Sequence, residues 1–239
     1  MDYLPLLIVV LVVALFVIML WGSARSRREK QAAQQKRASA MGFRPLEEPP
    51  PELTSRIRQL RLSSQNRQLR LEQVYHRADF DQDFYLVDVV DGGDDQGNWL
   101  GPETLVVISP NLALPRFTLV SLPEMDQGGV AAEYAGKLLD SAFSWMAGTL
   151  GMERIRISSS DNFENRYVVF GRSQAAVEHL FSPSLTDYLM GVNLPLTVEG
   201  EGDLFASGLS YTSSRKRENQ LQDLYREVID LARVLKRGN

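Results

Sequence analysis

The sequence has no cysteine among its 239 residues. That excludes disulfides, thiolate catalysis and cysteine-held iron–sulfur clusters, and it fits a reducing compartment. Histidine is nearly as scarce, with His76 and His179 alone. A zinc site wants three or four ligands, often closely spaced, and neither histidine has a ligand companion nearby in sequence. Both read as structural or surface residues. Signature motifs are also missing. There is no G-x-S-x-G, and Ser213–Lys216 spells S-x-x-K without its S-D-N and K-T-G partners. No catalytic residue, metal ligand or cofactor-binding residue is assigned from the sequence.

A long apolar run is present. Tyr3 to Trp21 is free of charge and rich in Leu, Val and Ile. Its 19 residues make about 28 Å of helix, close to the hydrocarbon thickness of a bilayer. Pro5 falls in the first turn, where a missing N–H costs little. Tyr3 and Trp21 stand at the two ends, where amphipathic rings favour the interface. A cleaved signal peptide would need basic residues before the apolar run. Here only Asp2 precedes it, although Gly22 and Ala24 make a passable cleavage pair. The basic residues follow instead, at Arg25, Arg27, Arg28, Lys30, Lys36 and Arg37. They predict a single-pass anchor over residues 1–22 in the cell (inner) membrane, with the N-terminus outside and the bulk of the chain cytoplasmic.

Charge divides along the chain. Residues 1–40 carry six basic and two acidic groups; with 26 basic and 30 acidic groups overall, 20 and 28 remain for residues 41–239. A basic collar thus precedes an acidic domain. Arg25, Arg27, Arg28 and Lys30 suit anionic lipid headgroups, at roughly 1 kcal/mol per residue near the surface. An acidic domain of net charge −8 is repelled by nucleic acid, which is excluded as a main partner.

Residues 23–40 favour helix without an apolar face and read as a stalk continuing the membrane helix. Gly42 and the Glu47–Pro51 run end it, so residues 23–51 form a basic stalk and a stiff Pro-rich spacer. Pro51 opens a short helix through Leu60, with Leu53, Ile57 and Leu60 on one face. Residues 52–239 then read as one soluble α+β domain. Strands are expected at Leu69–Tyr75, Phe84–Val90, Thr104–Ile108, Phe117–Leu122, Arg154–Ser158, Arg166–Gly171, Leu196–Glu199 and Leu204–Leu209. Helices are expected at Val130–Met146, Ser173–Phe181 and Pro183–Met190, with a long amphipathic one near Glu218–Lys236. That last stripe spans only about two heptads, too few for a coiled coil, and reads as packing on the domain's own sheet. The order argues a mainly antiparallel sheet with helices on one face.

Two acidic loops invite a cation. Asp79-x-Asp81-x-Asp83 opens like a calcium loop, but the sixth and twelfth positions hold Phe84 and Val90 where Gly and Glu are needed. It reads as a solvated turn over residues 78–83. The Gly-rich loop at 91–97 carries three carboxylates that would repel a phosphate. Trp99 at its end is a candidate interaction anchor if exposed. Arg215, Lys216 and Arg217 precede the last helix; cations there oppose its dipole. They read as loop charges, or as a surface facing an anionic partner.

The segments Pro115–Leu119, Leu122–Glu124, Asn162–Gly171, Leu180–Pro183 and Val198–Gly200, with the closing helix, resemble a loose group of uncharacterised bacterial proteins. These have one N-terminal transmembrane helix and a cytoplasmic α+β domain of unknown function. The resemblance implies that topology and no activity, cofactor or catalytic residue. The sequence therefore predicts a membrane-tethered binding or scaffold module with a protein partner. The alternative is an enzyme or small-ligand-binding domain whose site is assembled from distant polar residues.

Overall fold

A computed structural model describes residues 29, 31–60, 69–79, 81–91, 103–122, 151–158, 162–209 and 214–237. The expected membrane helix over 3–21, the collar residues Arg25, Arg27, Arg28 and Lys30, Trp99 with most of its loop, and the helix expected over 130–146 lie outside them. Among the described residues, no helix is long and apolar enough to cross a membrane. The chain divides into two compact units, Met1–Arg44 and Pro45–Asn239.

In the first unit, residues 31–40 form a helix, α1. Gly42 ends it at φ 83°, a backbone conformation that glycine adopts without steric cost. The Gly42 N–H donates to the Ser39 carbonyl and the Phe43 N–H to the Ala38 carbonyl, each at 3.0 Å. These are the two bonds of a Schellman cap. The polar stalk thus stops where the sequence places its glycine.

The second unit is built on a nine-stranded sheet in the order β1-β2-β3-β4-β9-β8-β5-β7-β6. The strands are β1 (Arg44–Leu46), β2 (Leu69–Asp79), β3 (Gln82–Asp91), β4 (Glu103–Ile108), β5 (Leu114–Ser121), β6 (Glu153–Ile155), β7 (Tyr167–Gly171), β8 (Leu196–Gly202) and β9 (Leu204–Leu209). All pairs from β2 to β6 across the sheet are antiparallel. The helices are α2 (Pro51–Leu60), α3 (Gln174–Leu180), α4 (Pro183–Gly191) and α5 (Ser214–Arg237). Pro51 and Pro183 sit at helix starts, where a missing N–H is tolerated. The Ser173 hydroxyl accepts from the Ala176 N–H and caps α3.

Both faces of the sheet are covered by helix, which corrects the expectation of helices on one face. Successive strand residues point to opposite faces, and β3 is apolar at Phe84, Leu86, Val87 and Val89 with Tyr85 between, so it has no polar face to give to water. On one face, Leu53, Ile57 and Leu60 of α2 pack with Val74, Val87, Val89, Val106, Leu204 and Ala206. On the other, Phe84 meets the ring of Tyr225 in α5, edge to face at 6.0 Å. Phe117 meets Phe181, at the end of α3, at 5.7 Å.

One transverse row crosses that second face. Register places Phe84, Val107, Phe205, Gly200, Phe117 and Gly171 side by side. A Cβ on Gly200 would lie 2.5 Å from the Phe117 ring, and one on Gly171 would lie 2.6 Å from Val177 of α3. The two glycines make room for a phenylalanine between them and for a helix above.

Three further corrections concern boundaries. The β2–β3 turn is tighter than the expected 78–83 segment, since Asp79 already pairs with Gln82. Strand β5 begins at Leu114 rather than after Pro115. A register shift between Leu114 and Phe117 absorbs the proline in a β-bulge. Helix α5 begins at Ser214, so Arg215–Arg217 are helical and not loop. Arg and Lys are strong helix formers, and that preference outweighs the dipole penalty.

Candidate functional site

The registers gather chemistry at one end of the sheet. Asp83, Ile108, Leu204 and Glu201 lie in one transverse row. The β8–β9 turn, with Gly202 at φ 62°, lies beside Leu114 at the start of β5. Arg172 follows β7 at the same end, since Gly171 pairs with Phe117.

On the α2 face the centre is Arg116. The bulge in β5 sets Leu114 and Phe117 on the opposite face and leaves Arg116 pointing toward the C-terminal end of α2. Its Nη2 donates to the Leu60 carbonyl in the last described turn of α2. Glu199 stands 3.5 Å from Nη2 and Glu201 3.9 Å from Nε, both beyond ordinary hydrogen-bond length. The arginine side chain is 5% exposed, Glu199 10%, Glu201 41%. Arg172, at 3.8 Å from Glu201, is 53% exposed and forms the solvent side of the network. Arg116 Nη1 is buried with no hydrogen-bond partner among the described residues. Burial pushes Arg116 below the usual arginine range, while Glu199 and Glu201 pull it back up.

Further along α2 a second polar group forms. Arg56 is paired with Asp203 of the β8–β9 turn. His76 Nε2 lies 2.7 Å from Asp83, and its ring lies 4.8 Å from that of Tyr85. Burial raises the Tyr85 phenol first, and Asp83 raises it further. The sequence gives His76 no close companion; the hairpin supplies a carboxylate diagonally across the strand pair. Among the described residues, no three metal-ligating side chains cluster.

At the same end, Lys236 of α5 donates to both carboxylate oxygens of Asp81 at 2.8 Å, and Asn111 donates to one of them. These two partners hold the Asp81 carboxyl below the usual range. Asp81 is thus a tie between the β2–β3 turn and the last helix. Beside it, on the α3 face, an open groove of about 350 Å³ is lined by Ala113, Leu114, Pro115, Ala176, His179 and Leu180.

Of the residues singled out from sequence, Arg215, Lys216 and Arg217 belong to the other end, while Trp99 lies outside the described residues. Lys236 closes α5 at the Asp81 turn, and 24 helical residues run about 36 Å. Arg215, Lys216 and Arg217 therefore start from the far end. Asp91 and Glu103, which flank the Trp99 loop, end their strands there too, because Asp88 pairs with Glu103. The Arg116 network went unpredicted, since its members come from β5, β8 and the end of α2. Its signal in the sequence was one cation, Arg116, and one carboxylate, Glu199, each among apolar and hydroxyl residues of a strand.

No protein-family model matches the chain, and no curated protein matches it. Among solved structures, the crystal structure of the mycobacterial trehalose monomycolate transport factor A, TtfA, is similar at a TM-score of 0.47 and 10% identity, covering 85% of this chain and 94% of that one. Likeness at that level fixes neither activity nor partner.

Proposed function

We propose that this chain is a membrane-tethered binding module, non-enzymatic, that presents its α+β domain to a protein partner on the cytoplasmic side. Residues 3–21 are the anchor, and Arg25, Arg27, Arg28 and Lys30 meet the lipid headgroups. The observation that carries the reading is the crowded end of the sheet. There, part-exposed groups of both signs line the strand ends: Arg56, His76 and Asp83 lie about Tyr85, Asp203, Glu201 and Arg172 lie further across the sheet, and a shallow groove opens at the same end on the other face. Aromatic and arginine side chains of this kind anchor interfaces, and mixed charge selects a partner more than it adds affinity. Confinement to a membrane raises the effective concentration of a partner held there too.

The test is affinity recovery of the full-length tagged chain from mild detergent, alone and with Asp203→Lys and Arg172→Glu together. The reading expects a reproducible partner that the charge-reversed variant loses. Recovery of the same partner by both would move the interface elsewhere, to Trp99 or Arg215–Arg217. No partner with either would sink the reading.

A second reading has one observation in its favour. A buried guanidinium with an unused Nη1 is what a small-ligand site assembled from distant residues would contain. A library of small carboxylates and amides that raises the melting temperature of the wild type, and not of Arg116→Met, would favour it.

A further inference from the structure

The sheet face that carries α2 extends well past that helix. Strand alternation puts Thr118 and Val120 of β5 and Val168 and Phe170 of β7 on this face, since Phe117 and Gly171 meet α3 on the other. All four are buried, none more than 2% exposed. One row runs Phe170, Thr118, Glu199, Ala206 across β7, β5, β8 and β9. Ala206 is where α2 packs. Phe170 lies three strand spacings further, about 14 Å, and a helix about 10–12 Å wide does not cover both. Along the strands the limit is similar. Arg116 reaches the Leu60 carbonyl at the end of α2, and Val120 is four residues on, about 13 Å. The burial over β5 and β7 therefore comes from another part of the chain.

The points where the chain leaves and returns name the occupant. Strands β5 and β6 both run antiparallel to β7, so they are parallel to each other with β7 between them. Phe117 and Glu153 both pair with Gly171, so the two strands start level. Residues 123–150 must therefore carry the chain back along the length of β5 and sideways past β7. A parallel connection of this kind crosses a sheet face, usually as a helix. Over these strands the other face holds α3, with Val177 above Gly171. In the connection, Ala131, Ala135, Leu138, Leu139 and Ala142 recur at helical spacing. Three of them are alanines, a small surface to set against the bulk of Phe170 and Val168. A helix over 130–146 is about 25 Å long, enough to cross the paired length of β5 and β7.

We propose that residues 130–146 dock as a second helix on the α2 face, with Ala135, Leu138 and Ala142 over Val120, Val168 and Phe170. Glu133, Lys137 and Asp140 then point away from the sheet. The proposal goes beyond the binding reading and does not depend on a partner or on the membrane anchor.

The absence of cysteine makes the test clean. In the full-length chain, single cysteines placed at Ala135, Leu138 and Ala142 should react with a thiol reagent at least tenfold more slowly than those placed at Glu133, Lys137 and Asp140. Equal rates at all six overturn the docking. A second measurement uses positions off the packed face, so that no buried side chain is lost. Nitroxides are attached in pairs, at Asp140→Cys with Gln59→Cys of α2, and at Asp140→Cys with Ala175→Cys of α3; Gln59 and Ala175 are both exposed. With the segment on the α2 face, two helices and the sheet separate 140 from 175. That distance should be about 30 Å or more and should exceed the distance from 140 to 59. A shorter distance to 175 than to 59 puts the segment on the α3 face and overturns the proposal.

Discussion

The two faces of one sheet are covered by helices of very different length, ten residues in α2 and 24 in α5. On the α5 side, Leu221, Leu224, Tyr225, Val228, Leu231, Ala232 and Leu235 are buried, and α3 and α4 extend the same layer. That layer is also stitched by polar bonds. Arg166 donates to the Met190 carbonyl at 2.6 Å and also to Val192, and the Tyr167 hydroxyl donates to Leu189 at 2.8 Å, so the end of α4 is tied to the start of β7. Tyr188 of α4 reaches the carboxylate and the carbonyl of Glu227 in α5, each at 2.8 Å. Burial, then Glu227, pushes that phenol far above its ordinary range, so it stays a neutral donor. On the α2 side, the ten-residue helix buries three aliphatic side chains, and Arg56 and Arg116 add polar ties. The difference teaches that an amphipathic stripe states which face of a helix is buried, and its length states how firmly.

The largest expected effect lies on the α5 side. Leu224→Ala should cost about 2–5 kcal/mol and lower the melting temperature by roughly 5–15 °C, read by calorimetry. A loss as small as that of an α2 variant would erase the distinction between the faces. Next comes Gly200→Ala. Its Cβ would strike the Phe117 ring at 2.5 Å, an overpacking expected to cost about 1–3 kcal/mol. A neutral result would mean that Phe117 has room to turn. Ile57→Ala, on the shorter α2, should cost about 2 kcal/mol, the low end for a buried aliphatic side chain. It should speed hydrogen exchange in residues 54–60 and leave β5 and β8 protected.

The smallest effect is in acid. Asp81 has a folded pKa held below its unfolded value, chiefly by the Lys236 hydrogen bonds and then by Asn111. Its contribution is therefore fully present above the unfolded aspartate pKa of about 3.9. It disappears as the pH falls through the lower, folded value. Asp81→Asn should make the stability–pH curve shallower in that window, lying below the wild type near neutrality and converging with it in acid. Coincident curves for the two proteins would show that the tie to α5 carries no stability.

Much of the architecture was legible because local signals agreed with the tertiary outcome. Leu204–Leu209 is a strand flanked by a Gly-Asp turn, and Pro51–Leu60 begins at its proline and keeps its three apolar residues on one face. The misreadings arose where a long-range contact outvoted a local rule. Pro115 looked like a strand boundary, yet a bulge admits it because Arg116 must turn toward α2. Arg215–Arg217 looked like loop, yet the helix behind them extends through their own propensity. The second helical face was hidden because the run Phe84–Val87 reads the same for a strand buried on both faces as for part of a buried helix. The charged end of the sheet was not legible at all, because Leu60, Arg116 and Glu199 meet only after two separate strands and a helix have taken their places.

The sheet's two outermost strands, Arg44–Leu46 and Glu153–Ile155, are each three residues long. Each carries charge, at Arg44, Glu153 and Arg154. An open strand edge is a template on which a second chain can grow, and brevity with charge is how such growth is starved. For a chain whose sequence predicts a membrane anchor, that economy has a colloidal meaning. Copies held side by side in a bilayer would meet edges too short and too charged to seed a fibre.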